Sequence, residues 1–295
     1  MKNNLPVVSV CLLTYNHARF IRQAIDSILQ QETSFHWNII IADDFSTDGT
    51  RDIIVDYAKR YPGKIELILQ EKNVGMEKNL IDLFTYPDSR YFAFLDGDDI
   101  WINPKRLQTQ VDFLDANPGY GMVYGKYTLM DEAGNKIKLN RYPSYKSGNI
   151  FRDIMLVRFL PPLPTSLIRT ELVKKAYEDR TKPGFDFYLI SAVTKNDQAK
   201  YLDDHFYCYR VNAGSITNIS IGYIWELVFK VISLYKEEYP GLMKKAQRNA
   251  KMELIYRKAE KDPGRKSTLL LLKNFRFSNR YFRQLAKCIL RTFKS

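Results

Sequence analysis

The 295-residue sequence is poor in several features that would each point to a function class. It has only three cysteines, Cys11, Cys208 and Cys288, far apart and odd in number. That pattern fits a reducing cytoplasm better than a disulfide framework. Histidine is equally scarce, and no Cys or His falls at zinc-ligand spacing, which argues against a zinc site. No apolar run reaches the roughly 18 to 20 residues that a membrane-spanning helix needs. The N-terminal run VVSVCLL is short, lacks a small-residue cleavage site and meets Thr14, Tyr15, Asn16 and His17 at once. It reads as a buried strand rather than a signal peptide. No GxxxxGK[ST] loop is present, which excludes the usual ATPase phosphate cradle. Acidic residues are missing altogether after Asp262, while nine Lys or Arg follow, so much of the net charge of +12 lies at the C-terminus.

What is present is an alternation of strand and helix patterns. VVSVCLL, WNIIIA (37–42), IELIL (65–69) and YFAFL (91–95) read as strands. Between them, apolar residues recur at helical spacing over Ala18–Leu29, around Ile53–Ala58 and over Met76–Phe84. Asn103 and Pro104 offer an N-cap and first-turn proline for a helix through Phe113. Repeated β-α units imply an α/β fold, a mainly parallel sheet with helices on both faces. Beyond residue 120, MVYGKYTLM, the turn-like DEAGN and KIKL suggest an antiparallel hairpin. PPLPTS interrupts the chain near 161–166, Phe185–Val193 looks helical, and short strands follow near Tyr201 and over Phe206–Val211. From Tyr223 the pattern is helical to the end. The division expected is a catalytic domain over 1–220, with halves 1–120 and 121–220, and a basic helical extension over 221–295.

Ligands of such sheets bind beyond the carboxyl ends of the strands. Strand one ends in Thr14, Tyr15 and Asn16; strand two in Asp43 and Asp44, then FSTDGT; strand three is followed by Asn73 and Gly75; strand four ends in Asp96, Asp98 and Asp99. Asp, Asn and Gly also make good turns. Four segments converging on one edge, two of them acidic, ask for more than turns. Carboxylates this close repel one another and resist burial. A hard divalent cation, Mn²⁺ or Mg²⁺, supplies the counter-charge through oxygen ligands, usually one or two carboxylates plus substrate phosphates.

SVCLLTYNHARFIRQAIDSIL, IIIADDFSTDGT, NVG...N and FLDGDDIW, in that order and spacing, closely resemble the inverting family 2 glycosyltransferases of the GT-A fold. The match runs from about Ser9 to Trp101 and more loosely to about residue 220. The resemblance implies a nucleotide-sugar donor, UDP- or dTDP-linked with UDP foremost, and a divalent metal. Thr14, Tyr15 and Asn16 then fall where the first strand meets the nucleotide. Asp43 falls where a carboxylate accepts from the base, Asp96 at the ribose and metal-water position, and Asp98 at the metal ligand of the DXD motif. Asp44, Asp99, Trp101 and Asn73 support them. Asp186, in GFDFYLISAV, matches the general base, or serves only as a first-turn carboxylate favourable to the helix dipole. Phe185 stands where many members have Glu. In YCYRVNAGSIT (207–217), Arg210 either contacts the diphosphate or pairs with an acid, and Asn212 replaces a common His. Thr165 and Ser166 fall on the acceptor side of the cleft.

The tail completes the reading. As an ideal helix, Tyr281, Phe282, Leu285, Ile289 and Phe293 share one face, and Arg280, Arg283, Lys287, Arg291 and Lys294 the other. A segregated basic helix over 278–295 suits an anionic membrane surface or packs its apolar face on the domain. The expected enzyme is peripheral on the inner face of the cytoplasmic membrane. It moves a sugar to a glycan or polyprenyl-linked acceptor in capsule- or LPS-type polysaccharide synthesis. A homodimer through the C-terminal helices stays open. A nucleotidyltransferase is the competing enzyme, but LLTYNH lacks the Gly-rich, Lys/Arg-bearing loop for a triphosphate. A non-catalytic basic module binding nucleic acid is the other alternative, and the separation of the tail into faces argues against it.

Overall fold

The computed structural model describes residues 5–139, 145–212 and 221–261. The basic segment 278–295, Cys288 and the AGSIT part of 207–217 lie outside the described residues. The chain divides into two compact units, residues 1–151 with 159–212, and residues 152–158 with 213–295.

The first unit is built on one mixed nine-stranded sheet. Its strands are β1 (Val8–Thr14), β2 (Trp37–Asp43), β3 (Ile65–Leu69), β4 (Tyr91–Asp96), β5 (Ile100–Trp101), β6 (Tyr120–Met130), β7 (Lys136–Ile137), β8 (Leu167–Arg169) and β9 (Gln198–Arg210). The order is β3-β2-β1-β4-β8-β6-β9-β5, with β7 paired to β6. Strands β3, β2, β1 and β4 run parallel. β1 and β2 are buried along almost their whole length, which explains why they read as continuous apolar runs rather than alternating ones. β1 lies between β2 and β4, so the chain leaves it first to one side and then to the other. The crevice beyond its carboxyl end is the topological switch point.

Helices α1 (Ile21–Leu29), α2 (Thr50–Arg60), α3 (Met76–Thr85), α4 (Arg106–Ala116), α6 (Thr170–Ala176) and α7 (Asp186–Thr194) belong to this unit, and α5 (Phe151–Met155) begins at its border. α1 buries Ile21, Ala24, Ile25 and Ile28, one helical stripe, against the sheet core with Val8, Val10, Leu12, Ile39 and Ile41. Truncating one of these, Ile25→Ala for example, would cost about 2–5 kcal/mol in lost transfer energy and cavity. The helix is tied to the sheet as well as packed on it. Ser27 Oγ accepts from the Trp101 amide at 3.1 Å, and Gln31 bridges the Asn103 carbonyl and the Leu107 amide.

Several boundaries differ from the sequence reading. Residues 18–20 form a turn before α1, and α4 runs from Arg106, with Asn103 Oδ1 accepting from the Lys105 amide at 2.9 Å just ahead of it, the bond expected of a capping residue. The two short strands expected near Tyr201 and Phe206 are one strand, β9, parallel to β6 with irregular register near Lys126. Two strands too short to show a period, β5 and β8, were not expected; β8 runs antiparallel to β4.

In the second unit, α8 (Ile221–Leu234) and α9 (Pro240–Lys261) pack on each other, and Asn249 Nδ2 donates to the Leu156 carbonyl at 3.0 Å. Among the described residues no helix is long and apolar enough to cross a membrane.

Candidate functional site

Register places Thr14 beside Asp43, and Leu13 beside Asp96, so three strand ends deliver polar groups to one edge. The end of β1 is drawn against the loop after β4. Gly97 N donates to the Leu13 carbonyl at 2.8 Å. A Cβ on Gly97 would come within 2.8 Å of His17 Nδ1 and 2.9 Å of Thr14 Oγ1. Only glycine between Asp96 and Asp98 permits that approach.

Asp43 is wholly buried. Its Oδ2 accepts from the Ser46 amide at 3.1 Å and from Arg51 Nε at 2.8 Å, and Arg51 Nη2 continues to the Gln70 carbonyl at 2.7 Å. Its Oδ1 is buried with no hydrogen-bond partner. A buried carboxylate oxygen left this way is costly, and it can only accept. Asp44, also buried, is a tether: its two oxygens accept from the Val74 and Gly75 amides at 2.7 and 3.0 Å, fixing the loop that starts α3. Asn73 in that loop is exposed, whereas Asn79, buried, accepts from Gln70 Nε2 and reaches the Ala42 carbonyl.

Tyr15 is 45% exposed at the rim. Asn16 has φ +55°, its amide donates to Ser46 Oγ at 2.9 Å, and its Oδ1 accepts from the Thr47 amide at 2.9 Å. Thr14 and Asn16 therefore hold the loops after β1 and β2 together. His17 sits inside this knot, its amide on Thr50 Oγ1 at 2.8 Å, and burial pushes its pKa down against the pull of Asp98, Asp48 and Asp43.

The acidic loop is held by β9. Asp99 is buried; Oδ1 accepts from the Arg210 amide at 2.6 Å and Oδ2 from the Tyr207 hydroxyl. Burial, then the charge of Asp98, push its pKa up to about 8. Asp96 is raised well above its ordinary value, first by burial and then by Asp99, Asp98 and Asp186. Asp98 Oδ2 accepts from Asn212 Nδ2 at 2.8 Å, the position of the common His. The Arg210 guanidinium is buried over the Phe20 ring. It donates to the Asp98 carbonyl at 2.7 Å, to Gln23 Oε1 at 2.7 Å and to the Glu132 carbonyl at 3.3 Å. These partners are carbonyl and amide oxygens rather than carboxylates, while the charge of Arg210 works to lower the pKa of Asp99.

Asp186 opens α7, its Oδ1 on the Phe187 amide at 2.7 Å, and burial raises its pKa. Gly184 brings it there, packed so tightly on the Glu77 carbonyl of α3 that no side chain fits. Trp101 is buried under the site, its ring 3.8 Å from the Arg106 guanidinium. Arg106, buried, donates to the carbonyls of Pro164 and Ser166 and so positions the PPLPTS segment. Thr165 and Ser166 are buried too, both hydroxyls on the Pro162 carbonyl. Arg51, His17, Gly97 and Arg106 were not singled out by sequence. Arg51 had one signal, a cation in the first turn of α2, where the helix dipole disfavours it.

Among the described residues no three His, Cys, Asp or Glu side chains form a metal cage. The acidic loop nonetheless fits Mn²⁺ or Mg²⁺, which need only one or two carboxylates beside phosphate oxygens. Asp96, whose pKa is raised first by burial and then by Asp99, Asp98 and Asp186, is a carboxyl that a nearby cation would favour in its charged form.

Comparison with known proteins adds the lineage. The model of glycosyl transferase family 2 matches residues 9–175. UDP-Glc:alpha-D-GlcNAc-diphosphoundecaprenol beta-1,3-glucosyltransferase WfgD of Escherichia coli is 25% identical over 222 residues, 72% of this chain and 80% of that one. Staphylococcus aureus TarS 1–349 in complex with UDP-GlcNAc superposes with a TM-score of 0.63 at 18% identity, covering 95% of this chain and 79% of that one. Mannosyltransferase PcManGT from Pyrobaculum calidifontis, in complex with GDP-Man and Mn²⁺, gives 0.56 at 15% identity, covering 99% and 88%. The chain spans 35–53% of the length of the curated relatives that it matches at 36–37% identity. The fold is that of the GT-A glycosyltransferases. With its family model matched over more than half its length, the chain belongs to glycosyl transferase family 2.

Proposed function

We propose that the protein is a metal-dependent inverting glycosyltransferase that moves a sugar from a nucleoside-diphosphate donor, UDP foremost, to a hydroxyl of a glycan or polyprenyl-linked acceptor. The observation that carries this reading is the gathering of Asp96, Asp98, Asp99 and Asp186 at the switch point. The partnerless Asp43 Oδ1 lies at the end of β2, two strands from β4. An oxygen that can only accept suits a base with a ring N–H, as uracil, thymine and guanine have. The names of the relatives support the same substrates: WfgD acts on a diphosphoundecaprenol acceptor, and TarS and PcManGT are seen with UDP-GlcNAc and GDP-Man.

In this reading Asp43 takes the base, and Thr14, Tyr15 and Asn16 shape the floor and rim beside it. Asp98 would hold the cation, with Asp96 at the ribose and metal-water position. The cation, when bound, supplies positive charge for the departing nucleoside diphosphate. Asp186 removes the proton from the acceptor hydroxyl, whose oxygen attacks the anomeric carbon from the face opposite the leaving group. Burial raises its pKa, which makes the carboxylate a stronger base than a solvated one. Asp99, Arg210, Asn212 and Trp101 position the acidic loop, and Asp44 with the Asn73 loop positions the start of α3. The basic sequence of residues 278–295 would hold the enzyme at an anionic membrane that carries its acceptor.

The test is thermal stability with UDP, dTDP, GDP, CDP and ADP, each with Mn²⁺ or with EDTA. Ligands of the folded state raise it by mass action. A Mn²⁺-dependent rise with one of the N–H bases, lost in Asp98→Ala, is expected. No rise with any diphosphate would overturn the proposal.

A further inference from the structure

Phe45 combines two unusual properties. Its backbone has φ +62°, the left-handed region, where a bulky side chain is an outlier. The residue is 41% exposed, so it adds little to the core in return. Glycine or asparagine would serve this turn at lower cost.

The conformation is imposed from both sides. The Asp44 amide donates to the Thr14 carbonyl at 3.1 Å, and the Asp44 carboxylate holds Val74 and Gly75. The Ser46 amide is on Asp43 Oδ2, Ser46 Oγ accepts from the Asn16 amide, and the Thr47 amide donates to Asn16 Oδ1. Residues on either side of Phe45 are thus fixed, and the phenylalanine has to follow. Strain kept in place by its surroundings collects at ligand sites. The ring is also oriented: the Arg51 guanidinium lies 5.3 Å from its centre while binding Asp43 Oδ2. One arginine therefore fixes both an exposed aromatic face and the carboxylate whose other oxygen is buried without a partner.

The geometry points to Phe45 as the aromatic wall of the nucleobase pocket, its ring stacking on the base whose N–H donates to Asp43 Oδ1 and so setting affinity. Arg51 is the positioning residue for both. This rests on the nucleotide-binding reading above. The hydrogen bond selects the ring edge and the phenylalanine supplies the flat contact. Loss of the ring should weaken every N–H base alike, whereas loss of the carboxylate should remove the choice among bases.

The experiment titrates UDP, dTDP and GDP with Mn²⁺ into the full chain and into Phe45→Gly, Phe45→Ala and Phe45→Trp, with melting temperatures for each. Phe45→Gly relieves the strained φ, so it should melt no lower than the parent yet bind the preferred diphosphate at least about fivefold more weakly, as loss of one base stack implies. Phe45→Ala should bind as weakly, and Phe45→Trp should bind within about threefold of the parent, since it keeps an aromatic face. Parent-like affinity in Phe45→Gly, or a loss in Phe45→Trp equal to that in Phe45→Gly, would overturn the inference and leave the nucleotide-binding reading standing. If the parent chain binds none of the three, both fall together.

Discussion

Gly97 offers the sharpest perturbation of the site, because the Gly97→Ala change adds one methyl group and no charge. Its φ lies outside the left-handed region, so alanine suits the backbone and only space is at issue. The new Cβ would sit 2.8 Å from His17 Nδ1, 2.9 Å from Thr14 Oγ1 and 3.0 Å from Thr14 Cβ, against 3.4 Å for ordinary contact. His17 cannot swing away freely, since its amide is on Thr50 and its ring nitrogen lies 3.3 Å from Thr14 Oγ1. The loop carrying Asp96 and Asp98 must therefore retreat from β1 by roughly half an ångström, and over-packing of this kind costs about 1–3 kcal/mol. For a unit of this size that lowers the melting temperature by about 2–4 °C per kcal/mol. The functional loss should be larger in proportion, about 10- to 100-fold in Mn²⁺-dependent turnover, because misplacement near 1 Å costs about 10²-fold. Differential scanning fluorimetry and calorimetric titration of UDP with Mn²⁺ read the two effects. Gly119→Ala, where nothing lies within 4 Å, is the control. A Gly97→Ala protein that melts and binds like the control would refute the claim that β1 and the acidic loop are in forced contact.

Other outcomes follow from the same geometry. Asp44→Ala removes two charge-assisted bonds to the half-buried Val74 and Gly75 amides and should cost about 3 kcal/mol, read by urea denaturation; Asp44→Asn, which keeps one acceptor, should cost less. Asp99 has a folded pKa of about 8 against an ordinary 3.8, so its contribution to stability is full at acid pH and is lost as pH rises toward 8. The metal-free protein should therefore weaken across that window, and Asp99→Asn should flatten the slope; an unchanged slope would mean that Asp99 does not titrate there. Asp186→Asn should lower transfer by about 10²-fold or more while leaving diphosphate affinity intact, as for a base that acts on the acceptor alone. Equal losses in both measurements would assign Asp186 to nucleotide binding instead.

The sequence made the parallel half of the sheet legible because β1, β2 and β4 are buried on both faces and leave uninterrupted apolar runs. It made the polar edge legible because each run stops on Asp, Asn or Thr. It hid the antiparallel half for physical reasons. β5 and β8 have two and three residues, too few to carry a period. β9 is crossed by the exposed Asp203 and Asp204, which divide one strand into two apparent ones. Asp44 and Asn73 carry the composition of ligands, yet Asp44 is consumed by backbone amides and Asn73 points to solvent. Arg106 and Arg210 look like surface cations. Their burial depends on carbonyls more than fifty residues away, which no local pattern records. Phe45 would have been found by asking which residue in a turn-rich segment is least suited to a turn.

The way β9 completes the acidic loop has a consequence for how the protein is made. Arg210 and Asn212 reach Asp99 and Asp98 across 111 and 114 residues of chain. At roughly 5–20 residues per second, the ribosome delivers them about 6–20 s after the carboxylates they hold. From the completion of Met130 until β9 is made, β6 lacks its parallel partner, which leaves that side of an eleven-residue strand unpaired. Nascent chains stalled before Gln198 should therefore be the species most prone to aggregate and most in need of a chaperone, although the four parallel strands that read so clearly in the sequence are already complete.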